Sequence, residues 1–165
     1  MAEAALVLPD EKPARYAALR ESIAAVIAGE GNRTARLATA CALLRSAFPE
    51  TFFWCGFYLV DPDKPGELVI GPYQGTLGCL RIAFGRGVCG HVAQTQRTEI
   101  VPDVHAFPGH IACDSRSLSE IVVPLFEADG AFFGVLDVDS DQRASFDAED
   151  AAGLEAICAD LMTGP

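Results

Sequence analysis

A chain of 165 residues, half of them hydrophobic and 21% charged, is long enough to bury a core without a metal or disulfide staple. Its net charge of −11, from 12 Lys and Arg against 23 Asp and Glu, repels phosphate backbones and argues against nucleic acid as a partner. No apolar run reaches the length of a membrane span, and the acidic start M-A-E-A-A-L-V-L-P-D lacks the basic flank of a signal peptide, so no membrane and a cytoplasmic location are expected.

From Lys12 to Ala28, apolar residues at Leu19, Ile23, Val26 and Ile27 predict a helix, with Pro13 in its first turn and Gly29 as its stop. Asn32 can cap a second helix, in which Leu37, Ala40, Cys41, Leu44 and Phe48 recur at helical spacing until Pro49. From Thr51 the period changes. F-F-W-C-G-F-Y-L-V reads as a buried strand, D-P-D-K-P-G as a turn, and E-L-V-I-G-P-Y as its hairpin partner. A third strand is expected over Cys79 to Phe84, then the glycine-rich turn G-R-G-V-C-G, a short helical turn through Val92 and Ala93, and a short strand over Thr98 to Val101. S-E-I-V-V-P-L-F-E and A-F-F-G-V-L-D-V-D form a last hairpin, and Asp147 caps a closing helix with Asp150 at its third position. Helices at both ends of a run of hairpin strands predict an α+β fold: a largely antiparallel sheet of about six strands, with the N- and C-terminal helices on one face.

The segment Asp103 to Glu120 has no helical or strand period, yet it holds two of the three histidines, a cysteine and an acid. Structureless segments longer than about 12–15 residues inside a compact domain are usually functional, so this one is read as an ordered active-site loop on the other face, with Cys113 at its working point. In G-V-L-D-V-D-S, strand alternation sends Asp137 and Asp139 to the same face, and Glu120 can join them from the partner strand. Clustered, buried carboxylates raise one another's pKa, so one of them can hold a proton near neutral pH; a solvated strand end is the plainer alternative.

Six cysteines in a chain without an export signal point to reactive thiols rather than a disulfide framework. Cys41, Cys55 and Cys158 fall on apolar faces and read as core, whereas Cys79, Cys89 and Cys113 fall where the backbone ends an element or turns. For Cys113, a reactive thiol stands against an inert buried one. His110 can stabilise a thiolate there, and the adjacent Asp114 opposes it. No metal site is expected, because no paired C-x-x-C or H-x-x-x-H spacing accompanies these residues. G-R-G-V-C-G matches a dinucleotide-binding glycine pattern, but it lacks the βαβ context that pattern needs.

From about Trp54 to the last helix the chain resembles the free methionine-(R)-sulfoxide reductases, enzymes built on a single GAF domain. The resemblance rests on W-C-G-F-Y, G-P-Y-Q-G, C-L-R-I, G-R-G-V-C-G, D-V-H-A-F-P-G-H-I-A-C-D, S-E-I-V-V-P and G-V-L-D-V-D-S, in that order. Cys55 and Leu77-Gly78 stand where other small residues are expected, and residues 1–50 match only in pattern. The resemblance implies one GAF-like domain over residues 1–165: helices within 1–50, sheet and loops over 51–140, and a closing helix over 145–162. It implies Cys113 as nucleophile, with Cys89 and Cys79 both open as resolving thiols. It also implies that Glu120, Asp137 and Asp139 bind substrate and assist proton transfer, with Glu120 or Asp139 as the acid, and that Trp54 and Tyr58 line the pocket. The expected substrate is free methionine sulfoxide and the expected reductant is thioredoxin; no cofactor is implied, and a homodimer is possible by analogy. The substrate's carboxylate needs donors, and N–H groups of Ile111, Ala112 and Cys113, helped by Arg116, are the hypothesis. A ligand-binding GAF sensor and a thiol-based redox sensor are the competing expectations.

Overall fold

The computed structural model describes residues 8–111 and 113–163. Helix α1 (Lys12–Val26) begins with proline in its first turn, and α2 (Arg33–Ala47) is capped by Asn32, whose side chain accepts from the Ala35 N–H. The strands are β1 (Trp54–Val60), β2 (Glu67–Gln74), β3 (Arg81–Ala83), β4 (Glu99–Val101), β5 (Ser119–Phe126) and β6 (Phe132–Ser140). A third helix, α3 (Gly87–Thr95), joins β3 to β4, and α4 (Ala148–Met162) closes the chain. Asp147 and Asp150 form the expected reciprocal capping box at the start of α4.

The sheet order is β3-β2-β1-β6-β5-β4, with every pairing antiparallel. Strand alternation sorts its two faces. Cys55 and Phe57 of β1, Ile121, Val123 and Leu125 of β5, and Leu136 and Val138 of β6 join the core formed with α1, α2 and α4. Their neighbours Trp54, Tyr58, Val122 and Val135 face the opposite way and pack with α3 residues Val88, Cys89, Val92 and Ala93. Cys41, Cys55 and Cys158 are buried in the helix-side core, as expected of thiols acting as small hydrophobes.

Two boundaries differ from the sequence expectation. The third strand pairs only over Arg81–Ala83, so Cys79 lies before it, where it bonds to Cys113 instead of continuing the ladder. Cys89 is not in a turn: the glycine turn ends early, with Gly85 and Gly87 at φ +78° and +60°, and Cys89 is the third residue of α3. The Gly85 N–H closes this junction on the Gly90 carbonyl at 2.7 Å.

Helices α1 and α4 approach closely at Gly153, where an added Cβ would overlap the Tyr16 ring. That ring is buried, and its hydroxyl donates to Asp150 at 2.9 Å, so it has little room to retreat. Gly153→Ala gains about 1 kcal/mol of helix propensity and loses about 1–3 kcal/mol to overpacking. Chemical denaturation should therefore show lower stability; a variant more stable than wild type would mean that Tyr16 can repack.

Candidate active site

The face of the sheet away from α1, α2 and α4 carries a cavity of about 40 Å³, lined from β1 by Trp54 and Tyr58, from β5 by Glu120 and from β6 by Asp137 and Asp139. Helix α3 contributes Cys89, and the 103–120 segment contributes His110, Ile111 and Cys113. These are the expected site residues, except that Cys79 is not among the lining residues and Ala112 lies outside the described residues.

The alternation read from the sequence explains why the aromatics and acids meet. Trp54 is paired across the ladder with Asp139, Gly56 with Asp137, and Glu120 with Asp139, so positions of one parity on three adjacent strands project into one space. Gly56 sits between Trp54 and Tyr58, and any side chain there would collide with the indole. The indole stacks against Tyr58 and Tyr73 at centroid distances of 5.8 and 5.4 Å, and its Nε1–H donates to the Thr76 carbonyl at 2.9 Å. Trp54 thereby anchors the loop that carries Cys79.

Two ties join that loop to the 103–120 segment. Cys79 and Cys113 form a disulfide with Cα atoms 5.4 Å apart, and the Thr76 hydroxyl donates to Asp114 Oδ2 at 2.7 Å. Asp114 is also held by Arg116, at 2.8 and 3.1 Å, and these bonds keep its carboxyl well below the usual range. Arg116 is therefore committed to Asp114 and lies over the Phe53 ring, outside the cavity lining, rather than free to receive a substrate carboxylate. The Cys113 N–H, another proposed donor, is bonded to the Ile111 carbonyl at 3.1 Å in this form.

The 103–120 segment is ordered by a one-turn 3₁₀ helix at Val104–Ala106, capped by Asp103, and by backbone bonds from Val104 to Leu118 and from Leu118 to Ser140. His110 Nε2 lies 3.9 Å from Glu120 Oε2, and burial followed by the charge of His105 lowers its pKa, leaving it neutral near pH 7. It thus faces the acid cluster and brings no fixed positive charge to Cys113.

Glu120 and Asp137 are 5% and 6% exposed, which rules out the solvated strand end for these two acids. Burial, followed by the charges of Asp137 and Asp139, raises the Glu120 pKa far above an ordinary carboxyl. Burial pushes Asp137 up to about 7, with hydrogen bonding to Cys89 and Glu120 pulling it back. Asp139 is also raised by burial and by Asp137, against a hydrogen bond from Ser117. Cys89 is only 4% exposed, and its thiol is pushed up by burial and then by Asp137 and Glu120. Its Sγ lies 3.9 Å from Glu120 Oε1.

Sequence reasoning passed over Ser117, Arg86 and Gly87, which also line the cavity. The glycine-rich G-R-G-V-C-G was the available signal for the last two, since it fixes the start of α3 against the pocket.

The raised carboxyls make a sign-specific demand on stability. From about pH 4, where unfolded carboxylates ionise, the native state holds more protons than the unfolded chain, so stability falls as pH rises through the Asp137 value of about 7. Asp137→Asn cannot ionise, and its melting temperature should exceed wild type by more at pH 8 than at pH 5, a difference worth up to about 3 kcal/mol in free energy. Equal differences at both pH values would show that Asp137 is not held protonated.

A model of the GAF domain matches residues 20–163. GAF domain-containing protein A of Dictyostelium discoideum is 49% identical over 157 residues, covering 95% of this chain and 96% of that protein. Free methionine-R-sulfoxide reductase of Escherichia coli is 44% identical over 146 residues, 88% of this chain and 86% of that one. The X-ray structure of the Neisseria meningitidis free methionine-R-sulfoxide reductase in complex with its substrate is 48% identical, with a TM-score of 0.90 over 96% of this chain and 93% of that one. This chain belongs to the GAF-domain family, among the free methionine-R-sulfoxide reductases.

Proposed function

We propose that this protein reduces free L-methionine-(R)-S-oxide to L-methionine at the cavity lined by Cys113 and the three carboxylates. The observation that carries this reading is the pairing of Cys113 with Cys79 at the rim of a buried acid cluster. A sulfoxide sulfur is electrophilic, but its oxygen leaves only as it is protonated. A thiolate at Cys113 attacks that sulfur while a protonated carboxyl delivers a proton to the oxygen. Glu120 suits the second role, because burial and its two acidic neighbours hold its proton near neutral pH.

The attack forms a sulfur–sulfur bond and the protonated oxygen leaves as water. A water molecule then attacks the Cys113 sulfur, the sulfur–sulfur bond breaks, methionine departs with its electron pair, and Cys113 is left as a sulfenic acid. The Cys79 thiol condenses with it, water leaves, and the disulfide forms. Thioredoxin then restores both thiols by exchange, taking the disulfide's oxidising equivalents as its own disulfide. Cys89 is bonded to neither partner and is sealed beside Glu120, which favours Cys79 over Cys89 as the first resolving thiol.

The acid cluster also gives a reason for choosing the free amino acid. An ammonium group entering the cavity meets Glu120, Asp137 and Asp139, whereas a peptide residue brings no such charge and leaves the acids unpaired. The names of the Escherichia coli and Neisseria meningitidis relatives support the same substrate. Trp54 and Tyr58 offer an apolar wall for the methylsulfinyl end.

With free methionine-(R)-sulfoxide and dithiothreitol, wild-type protein should release methionine and Cys113→Ser should release none. Glu120→Gln should lower kcat by about 10²–10⁴-fold, the usual contribution of a positioned acid. Wild-type turnover in the glutamine variant removes Glu120 from proton transfer, and no methionine from wild type refutes the reductase reading in favour of a sensor.

A further inference from the structure

The proposed reaction uses Cys113, Cys79 and a proton on Glu120, and leaves the Cys89 thiol without a task. Cys89 Sγ and one carboxylate oxygen each of Glu120 and Asp137 all lie within 4.8 Å of one another, and all three residues are buried. Asp137 adds an independent observation: its Oδ1 is enclosed and has no hydrogen-bond partner among the described residues, although the residue is 6% exposed and faces the cavity. A buried, unpartnered carboxylate oxygen is costly, and a cation is the partner that satisfies it best.

We propose that Cys89, Glu120 and Asp137 form a binding site for a soft divalent cation, zinc above all, with the fourth position open to water. Metal–sulfur bonds of ~2.3 Å and metal–oxygen bonds of ~2.0–2.2 Å at tetrahedral angles place ligand atoms about 3.5 Å apart. The Cys89–Glu120 separation of 3.9 Å closes to that value with a shift of a few tenths of an ångström.

The donor set selects among ions. Magnesium and calcium want about six or more oxygens, whereas one thiolate and two carboxylates with an open fourth position suit zinc. Binding displaces the protons these groups hold and leaves a zinc thiolate at Cys89. The ion occupies carboxylates that the proposed substrate's ammonium and the proton transfer require, so the site is inhibitory; this consequence alone rests on the reductase reading.

The test uses wild-type protein with the Cys79–Cys113 disulfide intact, so that Cys89 is the one free thiol lining the cavity among the described residues and no chelating reductant is present. Cobalt(II), the optical surrogate for zinc, should give a sulfur-to-cobalt charge-transfer band that saturates at a single equivalent and is bleached by added zinc. The band should vanish in Cys89→Ser. Cobalt affinity should fall at least ~10-fold in Asp137→Asn, with circular dichroism confirming that the variants are folded. No band in wild type, a band that survives Cys89→Ser, or an unchanged affinity in Asp137→Asn overturns the site. The wild-type titration needs no variant to fold, and loss of the site with methionine production intact would refute this inference and leave the reductase reading standing.

Discussion

Three carboxylates share the cavity face of β1, β5 and β6, and the nearest basic group, His110 at 3.9 Å from Glu120, is held neutral by burial. Like charges across adjacent strands are unfavourable, and removing them from water adds a further cost. The fold carries that cost by holding protons on the acids, which turns an electrostatic liability into a supply of hydrogen at the point where a sulfoxide oxygen would sit. The opposite face of the same sheet is almost wholly apolar, with Ile121, Val123, Leu136 and Val138 sealed against α1, α2 and α4. Stability and chemistry are thus divided between the two sides of one set of strands, residue by residue.

That division is what made the site legible. A strand period of two is a local property, so the aspartates at 137 and 139 and the aromatics at 54 and 58 could be assigned to common faces from the sequence, and the register confirms it. The caps at Asn32 and Asp147 were legible for the same reason, since each depends on side chains within three residues. What escaped depends on contacts between distant segments. Cys79 was one of two candidate partners for Cys113 through the resemblance alone, and nothing near it announces that it leaves the ladder for a residue 34 positions on; nor does anything near Arg116 announce that Asp114 and the Phe53 ring would claim it. Cys89 was misread because two glycines within three residues, Gly85 and Gly87, suggested a turn, whereas they only bend the chain into the start of α3.

The loops over the cavity are pinned from both sides. Trp54 holds the 75–79 segment through Thr76, and Thr76 in turn holds Asp114 beside Cys113. This chain of contacts brings the two cysteines together without asking the sheet to deform, and it does not pass through the disulfide. Opening the bridge therefore leaves Thr76 and Asp114 to keep the two segments in register.

With the bridge closed, the Cys113 sulfur is tied up in its bond to Cys79. For the reaction proposed here, an oxidised molecule has no thiolate to offer a second sulfoxide until an electron donor has called and left. Such a catalyst runs as a strict alternation of two half-reactions, and double-reciprocal plots at several reductant concentrations would be parallel lines.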